Sequence, residues 1–148
     1  MSDDDLPDDH HVVRYTKPTL VEEDGSVGGP AFQLRPGEAS LSVHWLECFD
    51  DQSRSGQLRQ VRRLGRLRLS RKGRFAELHA GRTKQHLREE LEDLRFVHDP
   101  LETQGGFEAD PSHSGMRGLP DADTPEAELV GDMIAECVTE LHQAVTSP

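Results

Sequence analysis

The sequence predicts an α+β domain in which a small, mostly antiparallel sheet is covered by two or three helices. Some stretches alternate apolar and polar residues and end at turn residues, as half-buried strands do. In others, apolar residues recur every three or four positions, as on one face of a helix. Because the two kinds of stretch follow one another in mixed order, we expect an α+β sheet packed against helices.

The length of the chain predicts one domain preceded by a short tail. A chain of 148 residues is long enough to bury one core, whereas two domains of half that size would each be marginal. Residues 1–10 are acidic and almost without apolar anchors, so we expect a disordered acidic tail there. Residues 11–148 are predicted to form a single α+β domain.

The first third of the chain predicts strands. Residues 11–15 read as a first strand, followed by a loop rich in glycine. Alternating apolar residues on both sides of a Pro-Gly turn predict a hairpin between residues 32–34 and 41–45. In this hairpin Ser42 and His44 are expected to face away from the core.

The middle of the chain predicts helices and a second hairpin. Residues 57–64 carry apolar residues on one side and arginines on the other, which is typical of a short amphipathic helix. Residues 66–70 and 75–80, separated by a Lys-Gly turn, predict a hairpin with an arginine-bearing strand. A helix capped by Thr83 and a last strand at residues 96–97 complete this part.

The C-terminal third predicts a long loop and a final helix. Residues 100–124 hold four glycines and three prolines with little periodicity, so we expect a loop of the kind that is often functional. Thr124 and Pro125 are typical of the start of a helix. Its predicted apolar face consists of residues spaced three or four apart: Val130, Ile134, Val138, Leu141 and Val145.

Composition favours a soluble protein of the cytoplasm. No run of about 18 apolar residues occurs, and no basic region followed by an apolar run opens the chain, so neither membrane spanning nor export is predicted. Cys48 and Cys137 are far apart in apolar surroundings, which favours buried free thiols over a disulfide or zinc ligands. No phosphate-binding glycine motif is present, and no cofactor is predicted.

The positive charge is concentrated in one segment. The net charge is −11, yet the nine basic residues from Arg54 to Arg74 are interrupted by no acid. Such asymmetry points to a polyanionic partner or to acidic residues elsewhere in the fold. The candidate binding residues are arginines on the predicted helix and the strand after it: Arg59, Arg62, Arg63, Arg66 and Arg68.

Three interpretations of these arginines remain open. They pair with acidic residues of the same fold, for example on the final helix, or they dock the acidic surface of a partner protein, or they bind nucleic acid. The last is weakened because no aromatic residue is interleaved for base stacking and the flanking segments are acidic. An accessory protein that docks an acidic partner is the first functional hypothesis.

The second hypothesis is a small hydrolase or phosphoester-acting enzyme. His98 and Asp99 end a predicted strand, and His113 follows on the long loop, so these three are the candidate catalytic residues. The two imidazoles with Asp99 or Asp110 also form a possible divalent-metal set, but no fixed metal-binding spacing is present and no metal is predicted. The plainer interpretation is that Asp99 and Asp110, each followed by proline, form turns.

Four blocks give the chain a resemblance to known sequences. HVVRY, LSVHWLE, VHDP and DPSHSG stand in this order. The chain resembles a family of small bacterial proteins of unknown function that carry similar blocks, over about residues 11–145. The resemblance implies a compact single domain and no particular activity.

Overall fold

The computed structural model describes residues 4–146, and their fold is the predicted α+β class. Six strands form one antiparallel sheet, and three α-helices accompany it. The elements in chain order are β1 (His11–Thr16), β2 (Ser40–Trp45), α1 (Arg54–Leu64), β3 (Arg74–His79), α2 (Ala80–Leu87), β4 (Arg95–His98), β5 (His113–Arg117), α3 (Pro125–Ala135) and β6 (Val138–Gln143). Short 3-10 helices lie at Pro18–Leu20, Gly29–Phe32 and Leu46–Phe49.

The sheet has a packed core on each of its faces. Its strand order is β4-β5-β2-β1-β3-β6. Neighbouring residues of a strand point to opposite faces, and in β1 both Val12 and Val13 are fully buried. Val12 belongs to the larger core with α2 and α3, and Val13 belongs to a smaller core with α1. The sheet is therefore a middle layer between helices.

Residues 4–6, which belong to the predicted acidic tail, run along β4 at the edge of the sheet, and the carbonyls of Asp8 and His10 accept hydrogen bonds from the start of α2. Asp5 forms an antiparallel bridge with Val97, and the Leu6 amide donates a hydrogen bond to the Phe96 carbonyl over 2.9 Å. The Leu6 side chain is 4% exposed and belongs to the larger core. A single leucine thus anchors an acidic segment, and only residues 1–3 of the predicted tail lie outside the described residues.

Neither predicted hairpin forms. Residues 29–32 make a 3-10 helix with Pro30 in its first turn, and β2 pairs with β1 and β5 instead of with the segment before it. Residues 66–70 are not a strand, and β3 pairs with β1 and β6. In both cases, apolar and polar residues that alternate over three to five positions indicate which side chains are buried, but they do not establish which strands pair.

The predicted final helix divides into a helix and a strand. The side chain of Thr124 caps α3 by accepting a hydrogen bond from the Ala127 amide, as expected. The helix ends at Ala135, and β6 follows. A bulge opposite Glu77 and Leu78 places Val138 and Leu141, three residues apart, against the same core. The bulge therefore produces helical spacing in a strand.

The predicted loop of residues 100–124 contains β5, which lies inside the sheet between β4 and β2. The predicted helix at Thr83 begins earlier, with His79 as its N-cap. Cys48 and Cys137 are free, as predicted, but only half-buried. Over the described residues, no helix is both long and apolar enough to cross a membrane.

Candidate active site

His98 and His113, the two histidines predicted to act together, lie on opposite faces of the sheet. In the register of β4 and β5, His98 pairs with Ser114, so the side chain of the preceding residue, His113, points the other way. The contacts agree, because the His98 ring lies against Trp45 whereas the His113 ring lies against His44. The structure therefore does not bring the two imidazoles into one site.

Both histidines bond to the backbone near the strand ends. His98 Nε2 is 2.7 Å from the Pro111 carbonyl oxygen, and His113 Nδ1 is 2.8 Å from the Asp99 carbonyl oxygen. The Asp99 carboxylate is 3.9 Å from His113 Nδ1, and more than half of that side chain is exposed. These hydrogen bonds fix the turn between β4 and β5, which is a structural role.

A different histidine, His44 of β2, lies in a buried polar cluster. His44 is 2% exposed, and Asp110 and Ser112 are fully buried. His44 Nδ1 is 3.2 Å from Asp110 Oδ2 and 3.2 Å from Ser112 Oγ. The Ser112 hydroxyl and amide both donate to Asp110 Oδ1, over 2.7 and 3.0 Å. The cluster thus holds one edge of the imidazole against a carboxylate.

The carboxylate of this cluster is ionised down to low pH. Burial alone would raise the pKa of Asp110, but the contacts with His44 and the hydrogen bonds from Ser112 outweigh it and lower the pKa to about 2. Asp110 Oδ2 makes no hydrogen bond within the described residues, although it lies 3.2 Å from His44 Nδ1. The acceptor for His44 Nδ1 is Ser112 Oγ, whose own proton goes to Asp110 Oδ1, and this arrangement favours the tautomer with its proton on Nδ1.

Arg14 of β1 lies where β1 and β2 separate, and strand alternation places its side chain on the face opposite to that of Val13 and His44. The two strands pair only at Val12 with Trp45 and at Val13 with His44. Beyond these pairs, Arg14 Nε donates to the Ala31 carbonyl over 3.0 Å and Nη1 donates to the Ser42 carbonyl over 2.9 Å. The guanidinium therefore bridges the gap between the separating strands.

The Arg14 guanidinium is half-buried and has no carboxylate partner within the described residues. Desolvation lowers its pKa to about 10, a change that nearby Glu38 opposes and Arg35 reinforces, so the group stays charged at neutral pH. Within the described part of the chain, no carboxylate oxygen lies within 4.0 Å of it and its Nη2 makes no hydrogen bond. Glu38 instead pairs with Arg35, at 3.3 Å. A cation that has lost part of its water and has no acidic partner gains from a bound anion.

A cavity of about 290 Å³ brings these groups together. Arg14, His44, Lys17 and Arg35 line it, and among the described residues Glu38, which pairs with Arg35, is the one acid in its wall. The His44 edge that carries Nε2 makes no hydrogen bond to any residue within the described range. The cavity therefore offers positive charge and an imidazole oriented by a carboxylate.

The residues of this site were missed for identifiable reasons. His44 was expected to face solvent because it alternates with the core residues Val43 and Trp45, but α1 and the chain after it cover the second face of the sheet. Asp110 read as a turn former, and Arg14 was a single arginine in a strand. The available signal was His44 itself, a histidine between buried strand positions.

Most arginines of the basic segment bind parts of the same chain. Arg62 donates to the carbonyls of Gln143 and Ala144, over 2.7 and 3.0 Å. Arg66 donates to the carbonyls of Glu102 and Glu108. The partners are thus mainly carbonyl oxygens, and none of these contacts involves α3, the helix considered in the sequence analysis.

Arg63 and Arg66 also hold the loop that leads to Asp110. Arg63 Nη1 pairs with the Glu108 carboxylate at 2.6 Å, and the Arg66 guanidinium lies over the Phe107 ring. Four exposed cations of the basic segment make no side-chain hydrogen bond or ion pair with residues that the structure describes. They are Arg59, Arg68, Arg71 and Lys72.

Comparison of the chain with family models, curated proteins and solved structures gives no match. The buried polar cluster and Arg14 lie in three of the sequence blocks noted above. Arg14 is in HVVRY, His44 is in LSVHWLE, and Asp110 and Ser112 are in DPSHSG.

Proposed function

We propose that the protein is a small acid–base enzyme that hydrolyses an anionic ester, with a phosphoester as the substrate class. The observation that carries the proposal is that His44, which lies beside the buried carboxylate of Asp110, and the half-buried guanidinium of Arg14 line one cavity. In this proposal His44, Asp110 and Arg14 carry out the hydrolase chemistry that the sequence analysis assigned to His98, Asp99 and His113.

His44 is the general base and then the general acid. With Nδ1 protonated and facing Asp110, Nε2 accepts a proton from a water molecule as its oxygen attacks the phosphorus. The new P–O bond forms as the ester P–O bond breaks, and the proton on Nε2 passes to the leaving oxygen. Asp110 stabilises the transient imidazolium and remains ionised throughout.

Arg14 binds the phosphoryl oxygens. Two of its nitrogens are fixed by carbonyls, so the guanidinium is oriented before substrate arrives, and Nη2 remains available. Lys17 and Arg35 add positive charge to the same wall. A cavity of about 290 Å³ is at the small end for ligand sites, which favours a small phosphoester over a polymer.

Hydrolysis of p-nitrophenyl phosphate and bis(p-nitrophenyl) phosphate, with p-nitrophenyl acetate as an uncharged ester, tests the proposal. The parent should prefer a phosphoester, and His44→Gln should lower kcat by at least about 100-fold. His86→Gln, at an exposed histidine on α2, is the matched control, and His98→Gln tests the residue on the opposite face; both should retain activity. Inactivity of the parent on all three esters, or an active His44→Gln variant, contradicts the proposal.

The four unpartnered cations favour a second candidate function, the docking of an acidic protein surface. Arg59, Arg68, Arg71 and Lys72 are exposed on α1 and on the chain that follows it. Since no ion pair within the described residues neutralises them, they are available to carboxylates of a partner. This candidate keeps the docking hypothesis but excludes Arg62 and Arg66, whose guanidinium groups bind carbonyls.

Fluorescence anisotropy with a labelled poly-glutamate peptide tests this docking surface. Binding should weaken steeply between about 50 and about 200 mM salt and should be lost in the Arg59→Gln/Arg68→Gln double variant. Arg82→Gln/Arg88→Gln, which removes one exposed arginine of α2 and the exposed arginine that follows the helix, should bind like the parent. Binding of a DNA duplex in place of the peptide would favour nucleic acid, and binding of neither would exclude the surface.

A further inference from the structure

Three metal-binding side chains lie together on β3 and β6, away from the cavity. Glu140 and His142 are two residues apart in β6, and Glu77 of β3 stands directly opposite Glu140 in the register. Alternation along a strand therefore places all three on one face of the sheet. None of them lines the cavity of the proposed active site.

The donor atoms of these residues are close to one another. His142 Nε2 is 2.8 Å from Glu77 Oε1 and 3.9 Å from Glu140 Oε2. One donor atom from each of the three residues lies within 4.8 Å of the others. Ligands bound to a tetrahedral zinc at about 2.0–2.2 Å are separated by similar distances, so small side-chain movements suffice.

The charges around this cluster favour a bound cation. Carboxylates directly opposite one another on paired strands repel, and Glu77 is only 5% exposed. Arg54 compensates for part of the negative charge of the two glutamates, because its Nε lies 3.3 Å from Glu77 Oε1. A third of the Arg54 side chain is exposed, so it has room to move aside.

We propose that Glu77, Glu140 and His142 form a binding site for a divalent cation of the zinc class, which displaces Arg54 from Glu77. One imidazole and two carboxylates are ligands that zinc accepts, and three protein ligands leave a fourth position open to water. Arg54 neutralises Glu77 when the metal is absent, and the cation takes over that role when it binds. The site is independent of the proposed hydrolase activity.

Titration of the metal-free full chain with Zn²⁺ by calorimetry, and with Co²⁺ by visible absorption, tests the site. The parent should bind one ion here, and His142→Gln and Glu140→Gln should each weaken this binding by at least about tenfold. His86→Gln, a histidine in the exposed pair with Glu136, should bind like the parent. Glu140 is exposed, so its variant provides the test if His142→Gln does not fold.

Arg54→Gln separates this proposal from general affinity of histidines for zinc. If the metal displaces the guanidinium, removing Arg54 should tighten Zn²⁺ binding, by about tenfold or more. Unchanged or weaker binding by Arg54→Gln overturns the displacement. The site is overturned if the parent shows no saturable Zn²⁺ binding, or if the Glu140→Gln and His142→Gln variants bind Zn²⁺ as tightly as the parent.

Discussion

Arg14 and the basic segment from Arg54 to Arg74 show two different uses of arginine in one fold. The segment holds nine basic residues, whose side chains bind carbonyls, pair with acids of the same chain or remain in solvent. Arg14 is a single arginine in a strand, yet it lines a cavity and has no carboxylate partner among the described residues. The basic residues of the segment, which stand out in the sequence, mostly bind the same chain or face solvent. Arg14, which does not stand out in the sequence, is placed to bind a ligand.

The difference teaches that the position of a cation in a cavity, rather than the density of charge, decides which one is placed to bind a ligand. An exposed guanidinium is screened by water and salt, so each ion pair it forms contributes little. A half-buried guanidinium in a cavity has lost part of its water and gains more from an anion that replaces that water. The same reasoning distinguishes the buried Asp110 from the exposed Asp99.

The largest effect should come from removing the buried carboxylate of the cavity cluster. Asp110→Ala leaves two buried Ser112 donors without their acceptor and removes the carboxylate beside His44, so we expect the free energy of unfolding to fall by about 3–5 kcal/mol. Asp99→Ala, at the exposed aspartate beside His113, should change it by less than about 0.5 kcal/mol. Urea unfolding measures both, and equal effects would remove the distinction between the two aspartates.

The next effect concerns the pH dependence that Asp110 confers. Its pKa is near 3.8 in the unfolded chain and about 2 in the folded protein, so the ionised form stabilises the fold above pH 4. This contribution of about 2 kcal/mol should disappear as the pH falls through 2.

Unfolding of the parent and of Asp110→Asn between about pH 2 and 6 measures this contribution. The stability difference between them should narrow toward the acid end. A difference that stays constant over the whole range would show that the carboxylate is not selectively stabilised in the fold.

A smaller effect separates two arginines of the basic segment itself. Arg62→Gln removes hydrogen bonds to the Gln143 and Ala144 carbonyls and should cost about 1–2 kcal/mol. Arg59→Gln removes an exposed group without a described partner and should stay within about 0.5 kcal/mol. Thermal unfolding compares the two variants, and similar losses would mean that Arg59 has a structural partner after all.

Much of the secondary structure could be predicted from the sequence because its strongest patterns are local. The apolar periodicity of residues 57–64 and the cap at Thr124 predict α1 and the start of α3. The strand β6 was missed because its bulge gives Val138 and Leu141 the spacing of a helix. The pairing partner of β2 was missed because it depends on β5, about seventy residues further along the chain.

The candidate site was harder to predict because it depends on strand order. His44 and Asp110 meet only because β5 pairs with β2, and Arg14 joins them only because β1 and β2 separate after two paired positions. His98 and His113 looked close because they flank one loop, but strand alternation sends them to opposite faces. The sequence thus suggested hydrolase chemistry as a hypothesis, whereas the residues now proposed for it, His44, Asp110 and Arg14, could be identified only from tertiary contacts.

Titration with inorganic phosphate tests the central claim, that the cavity lined by Arg14 is an anion site, most directly. Measured by calorimetry at constant ionic strength, the parent should bind one phosphate and Arg14→Gln should bind it about 10- to 100-fold more weakly. Arg68→Gln, the matched change in the basic segment, should remain within about twofold of the parent. Failure of the parent to bind phosphate, or equal weakening by both variants, would contradict the account.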